Sequence, residues 1–401
     1  MAANTAAVAE LKQQVKNITP DDSTIGDKPW SSKHIIDMLC PPLEESGNPV
    51  VCYPVAGYAL GVKASWEPVQ EGSGTPSPEN IRPIKGRDSV TVERCGENLL
   101  NIKPVNEIVG RPTIKNDNGW LQVDGELQGG NLWLATGYVL RPGTYCAYLF
   151  GGDSMQDNGV LWIYGDVQAL MVPKHRKAIL TVKNTSKVNV YLHVDRPFTL
   201  TTKFAVAIVS GSTAPTTYTP YIGQTNTLTL PETVYGGEVD AVTGDGKGMW
   251  KTLTLDGTER WIMGSAVEGV HSFYAPNAVT DMPIATTSTE VCTHYKILNY
   301  NDGTESAFLS GEPYVYINTG RFNSAEELKA YLSAQYAAGT PVQIAYKLAE
   351  STPFTATGAQ PMPALAGVNT VLTDADSATV TGRADPIKRI IDLEDAVASQ
   401  T

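Results

Sequence analysis

The sequence predicts a mainly β protein built from a β-sandwich and a second β-rich domain, with short helices at both ends, and three observations carry that prediction. First, 36 Gly and 26 Pro punctuate the 401 residues, a density suited to turns and hostile to long helices. Second, 42% of residues are apolar and only 18% charged, which describes a chain that buries cores and excludes a disordered one. Third, between about Asn98 and Ile222 short apolar-polar alternations recur at the spacing of sandwich strands, separated by NDNG, RPGT, GGDS and KNTS turns.

The elements follow in order. Val8, Leu11, Val15 and Ile18 share one stripe of a helix from about Thr5 to Asn17, too short to stand alone, so it is expected to dock or to bundle with copies of itself. Ser31 or Ser32 can cap a second short helix whose Ile35, Ile36 and Leu39 form an apolar face, and residues 1–39 are thus expected to be a helical attachment segment. Residues 40–70 read as a small β module. Residues 71–86, rich in Gly, Ser and Pro without periodicity, read as a linker.

Residues 87–222 are the predicted sandwich. In VNVYLHV, Val188, Val190, Leu192 and Val194 take one face and Asn189, Tyr191 and His193 the other. Phe204, Val206 and Ile208 take the core side of their strand. Leu132 and Leu134 oppose Trp133, and Leu121 and Val123 oppose Trp120 and Gln122. Residues 223–260 read as hairpins with two-faced Thr-Leu-Thr-Leu strands, and residues 261–383 as the second β-rich domain. That domain holds a helix over 324–338, with a Ser324/Glu327 capping box, a buried stripe of Leu328, Tyr331, Leu332 and Tyr336, and Gly339 as the stop. Asp385 and Pro386 open a terminal helix over 384–401 carrying Ile387, Ile390, Ile391, Leu393 and Val397.

Composition also bounds function. Lys and Arg number 30 against 42 Asp and Glu, a formal net charge of -12, which argues against binding nucleic acid through its phosphates. No apolar run is long enough to span a bilayer and the start lacks a signal-peptide layout, so membrane insertion and export are not expected. The five cysteines form no CxxC pair and read as reduced and buried. GDGKGMW lacks the spacer of a phosphate loop and reads as a turn. The histidines show no ligand spacing, Asp153/Asp157 and Asp374/Asp376 read as turn residues, and no Gly-x-Ser-x-Gly elbow exists. No catalytic residue, metal or cofactor is implied.

What remains is aromatic. Trp120, Trp133, Tyr191 and His193 fall on the outward phase of their strands, where a flat ring with a polar handle suits stacking on sugars or packing between proteins. Asn189 and Gln122 lie on the same phases and can hydrogen-bond hydroxyls.

Several segments resemble structural proteins of tailed bacteriophages of Gram-positive gut bacteria, of the tail-fibre, baseplate and receptor-binding kind. WSSKHIIDMLCPPLEESGNPVVCYPVAGYALGV with EPVQEGSGTPSPENIRPIKG resembles their amino-terminal module. CGENLLNI, GYVLRPGTYCAYLF, VNVYLHV and TTYTPYIGQTNTLTLPETVYGGEVDAVTG are similar to a jelly-roll, carbohydrate-binding-like module. KTLTLDGTERW, AAGTPVQIAYKLAESTPFTA and LAGVNTVLTDADSATVTGRAD resemble a closing module of these chains. The resemblance implies a virion component assembled in the host cytoplasm, a homotrimer joined to other virion proteins through its N-terminal segment and touching host-surface glycans. A tail-tip or baseplate fibre is favoured over a head fibre or decoration protein. A carbohydrate-active depolymerase is the further alternative, for which no internal β-helix repeat is found.

Overall fold

A computed structural model describes residues 40, 42–102, 113–127, 129–153, 159–167, 169–171, 176–279, 290–310 and 314–386. The stripe Val8, Leu11, Val15 and Ile18, the second helix at Ser31–Leu39, and the terminal helix beyond Pro386 lie outside the described residues. Among the described residues the chain is mainly β with one long helix.

Two facing sheets make the base. The larger runs, in spatial order, Pro42–Gly47, Ser377–Arg383, Ala59–Trp66, Gly237–Asp240, Asp245–Leu255, Val342–Thr355 and Glu290–Cys292, with Met362–Pro363 also on Ala59–Trp66. The smaller is Gly223–Val234, Arg87–Cys95, Asn369–Thr373 and Val50–Cys52. Alternation decides what they bury: Val62, Ala64 and Trp66 from the first sheet meet Val90, Val92, Leu228, Leu230 and Val371 from the second. The expected two-faced Thr-Leu strand is seen, with Thr227 and Thr229 exposed between buried Leu228 and Leu230.

Both other units leave and rejoin this base at paired strand ends. Cys95 is the cross-strand partner of Gly223, so residues 96–222 are an insertion at the end of one strand pair. Leu255 is the partner of Val342, so residues 256–341 are an insertion at the end of another. This replaces the linear domain plan. Residues from 50–66, 90–92, 228–241 and 356–380 share one core, because strands distant in sequence complete each other's sheets, while Leu255, Val342, Ile344, Tyr346 and Leu348 at the far end of two of those strands pack into the core of the second insertion. Residues 40–70 are therefore no separate module, and residues 223–260 no free hairpins.

Residues 71–86 are no spacer either. Val69–Gln70 pairs with Ile84–Lys85, and the Arg82 guanidinium donates to the carbonyls of Gln70, Glu71, Gly72 and Gly74 at 2.7–3.2 Å. The loop is also docked: Arg82 N–H donates to Thr293 O at 2.9 Å, Gln70 Nε2 donates to Cys292 O at 2.8 Å, and Glu79 pairs with Arg321 at 2.6 Å. Glycine and proline here shape a loop whose backbone acceptors are met by Arg82 and by Asn80 Nδ2, which donates to the carbonyls of Ser73 and Thr75 at 3.1 and 3.0 Å.

In the first insertion eight strands form two opposed sheets: β1 (Trp120–Asp124), β2 (Gly130–Leu140), β3 (Gly143–Gly151), β4 (Gly159–Gly165), β5 (Ala169–Met171), β6 (Lys177–Val182), β7 (Ser186–Val194) and β8 (Phe204–Ser210). One sheet has the order β1-β8-β3-β6, extended beyond β1 by Thr113–Asp117, and the other β2-β7-β4-β5. Leu132, Leu161, Val190 and Leu192 pack against Leu121, Tyr145, Leu149, Val206 and Ile208 in the space between. The predicted inward phases of β2, β7 and β1 hold. In β8 both faces are covered, since Cys146, Ala207 and Val209 form a small second cluster on its outer side.

The second insertion carries a sheet ordered Ile262–Val267, Val270–Pro276, Tyr314–Thr319, Ser306–Leu309 and Lys296–Ile297, and helix α1 (Ala325–Ala337), which lies against Asp245–Leu255 and Val342–Thr355 and shares one core with the sheet through Leu328 and Leu332. Ser324 Oγ accepts from Glu327 N–H at 3.2 Å as the N-cap, while the Glu327 carboxylate accepts from Asn323 N–H at 2.7 Å, one residue before the cap. Leu328 and Leu332 are buried; Tyr336, expected in that stripe, is 54% exposed. GDGKGMW is a turn only as far as Gly244, and Asp245–Leu255 is strand.

Candidate functional site

The outward face of β2-β7-β4 gathers the predicted rings and one more. Trp133 on β2 is the cross-strand partner of Tyr191 on β7, which is in turn the partner of Trp162 on β4. Three aromatic side chains thus lie in one row across three neighbouring strands. Ring centroids are 4.7 Å apart for Trp133 and Tyr191, and 6.2 Å apart for Tyr191 and Trp162, the latter pair within 7° of parallel. Each ring is half-buried, and the neighbouring Leu132, Leu134, Leu161, Ile163, Val190 and Leu192 are in the core. The Trp162 indole N–H is covered and meets no acceptor, so this residue offers a ring and no donor.

Polar groups flank one side of the row. Asn131, His193 and Val160 form the adjacent register row. His193 Nδ1 lies 2.6 Å from Asn131 Oδ1 and Nε2 lies 3.2 Å from the Asp195 carboxylate, so both ring nitrogens are engaged. On the other side Asn189 pairs with Tyr164, whose ring is 51% exposed. Asn189 Oδ1 is already used, accepting from Gly137 N–H at 2.8 Å, where the chain of β2 departs from regular pairing.

Trp120 does not belong to this face. It lies on the outside of the opposite sheet, edge-on to Tyr218 at 5.3 Å, with Phe150 5.6 Å from the same tyrosine. Gly119 leaves the space that Tyr218 fills, since a Cβ there would overlap the phenol oxygen. Gln122 shares that side, donating to Asp124 at 3.3 Å. Trp133, Tyr191 and His193 therefore converge, whereas Trp120 and Gln122 do not. Trp162 and Tyr164 were missed, though the alternation in VLWIY that sends Leu161 and Ile163 inward points both of them out.

The described carboxylates and cysteines singled out in the sequence are engaged locally, half-buried or buried. Among the described residues no three of His, Cys, Asp and Glu gather as a metal would require. Asp374 Oδ1 accepts from Thr91 N–H at 2.9 Å and pairs with Arg87, Asp376 accepts from Glu67 N–H, and Asp153 pairs with Arg176, while Asp157 and His175 lie outside the described residues. All five cysteines are free; Cys40 is half-buried and the other four are buried. Burial pushes the Cys52 thiol up to about 12 and the Cys292 thiol to about 11, which suppresses the reactive thiolate. In the second insertion burial pushes Glu290 up to about 7, against the opposing effect of Leu309 N–H, which donates to its carboxylate at 2.9 Å. At the root of the first insertion Asn116, Gly119, Tyr218 and Tyr221 line a cleft of about 280 Å³. None of its lining residues is charged.

No helix among the described residues is long and apolar enough to cross a membrane. Comparison with family models, curated proteins and solved structures finds no match in any of the three.

Proposed function

We propose that this chain is a structural and adhesive protein of a tailed-phage virion, a tail-tip or baseplate component that presents a glycan-contacting sandwich to the host surface. The observation that carries the reading is the placement of a sandwich with an outward aromatic row on a base from which it emerges at a single pair of strand ends. The orders β1-β8-β3-β6 and β2-β7-β4-β5 are those of a jelly roll, two interleaved Greek keys, a fold used by lectin and capsid domains alike. Entry and exit at Cys95 and Gly223 leave the unit free to project without breaking the base. A homotrimer would multiply such contacts, and weak single sites become useful when many copies act together.

The test of the role is imaging of virions labelled with an antibody to this chain. Label at the distal tail supports the reading. Label on the head would assign a head fibre instead, and absence from the particle would refute the virion role. For assembly, Leu11→Asp with Val15→Asp is expected to abolish the trimer and leave the β units folded. A wild-type chain of monomeric mass that still joins the particle would move this stripe from self-association to docking.

A further inference from the structure

We propose that the row Trp133, Tyr191 and Trp162 is a binding site for a neutral oligosaccharide laid across the strands, with two to three sugar units in contact. The inference rests on the adhesive reading above and narrows it to a ligand class and a direction. Three features of the face set them.

Length is the first. The rings stand on three adjacent strands, so the row spans roughly 10 Å, about the reach of two pyranose rings in an extended chain and longer than one. A monosaccharide would cover one or two of the rings. A disaccharide or trisaccharide would cover all of them.

Charge is the second. The eight positions of the three register rows are Asn131, His193 and Val160, then Trp133, Tyr191 and Trp162, then Asn189 and Tyr164. None is Lys, Arg, Asp or Glu, and the carboxylate that borders them is Asp195, held at His193. A uronic acid, a sialic acid or a phosphorylated sugar would bring an anion toward Asp195, with no Lys or Arg in these rows to receive it and Lys187 standing one outward position beyond Asn189. Neutral sugars, whose hydroxyls need donors and acceptors rather than counter-charges, suit this surface.

Asymmetry is the third. Asn131 and His193 stand together on one flank, beside Trp133 and Tyr191, whereas Asn189 Oδ1 on the other flank is already used by Gly137 N–H. Trp162 is flanked by Val160 and Tyr164 on its own strand, and its indole N–H is covered. One sugar is thus read by Asn131 and His193 together with stacking, and the next is held at Trp162 mainly by ring contact, with the Tyr164 hydroxyl as the polar group beside it. Trp162 acts as an extension that rewards chain length.

The experiment uses the full chain and calorimetric titration against a panel of neutral gluco-, galacto-, manno-, rhamno- and N-acetylglucosamine saccharides of one to six units, with galacturonate and sialylated counterparts. Affinity in at least one neutral series is expected to climb from one unit to three and then level off, with acidic counterparts weaker. Trp162→Ala should lower affinity for the trisaccharide about fivefold, in line with one lost ring contact, and leave the monosaccharide unchanged. Trp162→Phe should restore most of the loss, separating ring contact from misfolding. Trp120→Ala should change affinity less than twofold.

Equal affinity for one and three units, unchanged binding by Trp162→Ala, tighter binding of acidic saccharides, or no binding across the neutral series would each overturn the inference. These outcomes concern the pure protein. The adhesive reading fails separately, if the chain is absent from the virion or if particles bearing it adhere no better than particles lacking it.

Discussion

Replacing Glu290 with Gln tests how a half-buried carboxyl couples the second insertion to the base. Glu290 opens the edge strand Glu290–Cys292 of the large base sheet, and its carboxylate accepts from Leu309 N–H in the neighbouring sheet at 2.9 Å. Burial raises it from 4.5 to about 7. A carboxyl raised in the folded state holds its proton more tightly there than in the unfolded chain. Between pH 4.5 and 7 the native state therefore binds more protons, and stability falls as pH rises through that window. At about 1.4 kcal/mol per unit, the charged form destabilises the fold by roughly 3 kcal/mol above pH 7, and by nothing below 4.5. Gln keeps an oxygen for Leu309 N–H and removes the charge. Glu290→Gln should therefore be neutral near pH 4.5 and stabilising by about 2–3 kcal/mol at pH 8. Urea unfolding followed by tryptophan fluorescence, with Trp261 buried in the same core, reads the difference. A difference that does not grow with pH, or a variant less stable than wild type at pH 8, would refute the coupling.

Arg82→Ala should cost about 1–2 kcal/mol by leaving the carbonyls of residues 70, 71, 72 and 74 without their shared donor. Limited proteolysis should nick residues 71–86 in that variant, while wild type resists there. Gly151→Ala should destabilise by more than about 2 kcal/mol in thermal unfolding, because φ is +65° and an added Cβ would stand 2.3 Å from the Lys203 carbonyl oxygen. Trp120→Ala should lower stability by about 1–3 kcal/mol through loss of its contacts with Tyr218, the reverse of what a solvent-facing sugar platform would give.

The two-residue period of a strand is a local steric fact, and it determined which side chains of β1, β2, β4 and β7 face inward, whereas in β8 the tertiary structure covers both faces. Leu132 against Trp133, Leu121 against Trp120 and Leu192 against Tyr191 are legible without any knowledge of neighbours, and Trp162 was legible in the same way. Ser324, Leu328 and Leu332 likewise announce their helix, since capping and helical spacing act within a few residues. Which strands lie side by side is decided by burial between segments far apart in the chain. Only the tertiary structure set Trp133 beside Tyr191 and Tyr191 beside Trp162, and sent Trp120 to the opposite sheet. The pairings of Cys95 with Gly223 and of Leu255 with Val342 turned a row of modules into a base with two insertions, and no local pattern encodes them. Gly and Pro in residues 71–86 mark an absence of regular structure. Whether such a stretch is a spacer or a docked loop depends on the groups that satisfy its backbone, and here Arg82 and Asn80 supply them by a fold of the chain that composition does not record.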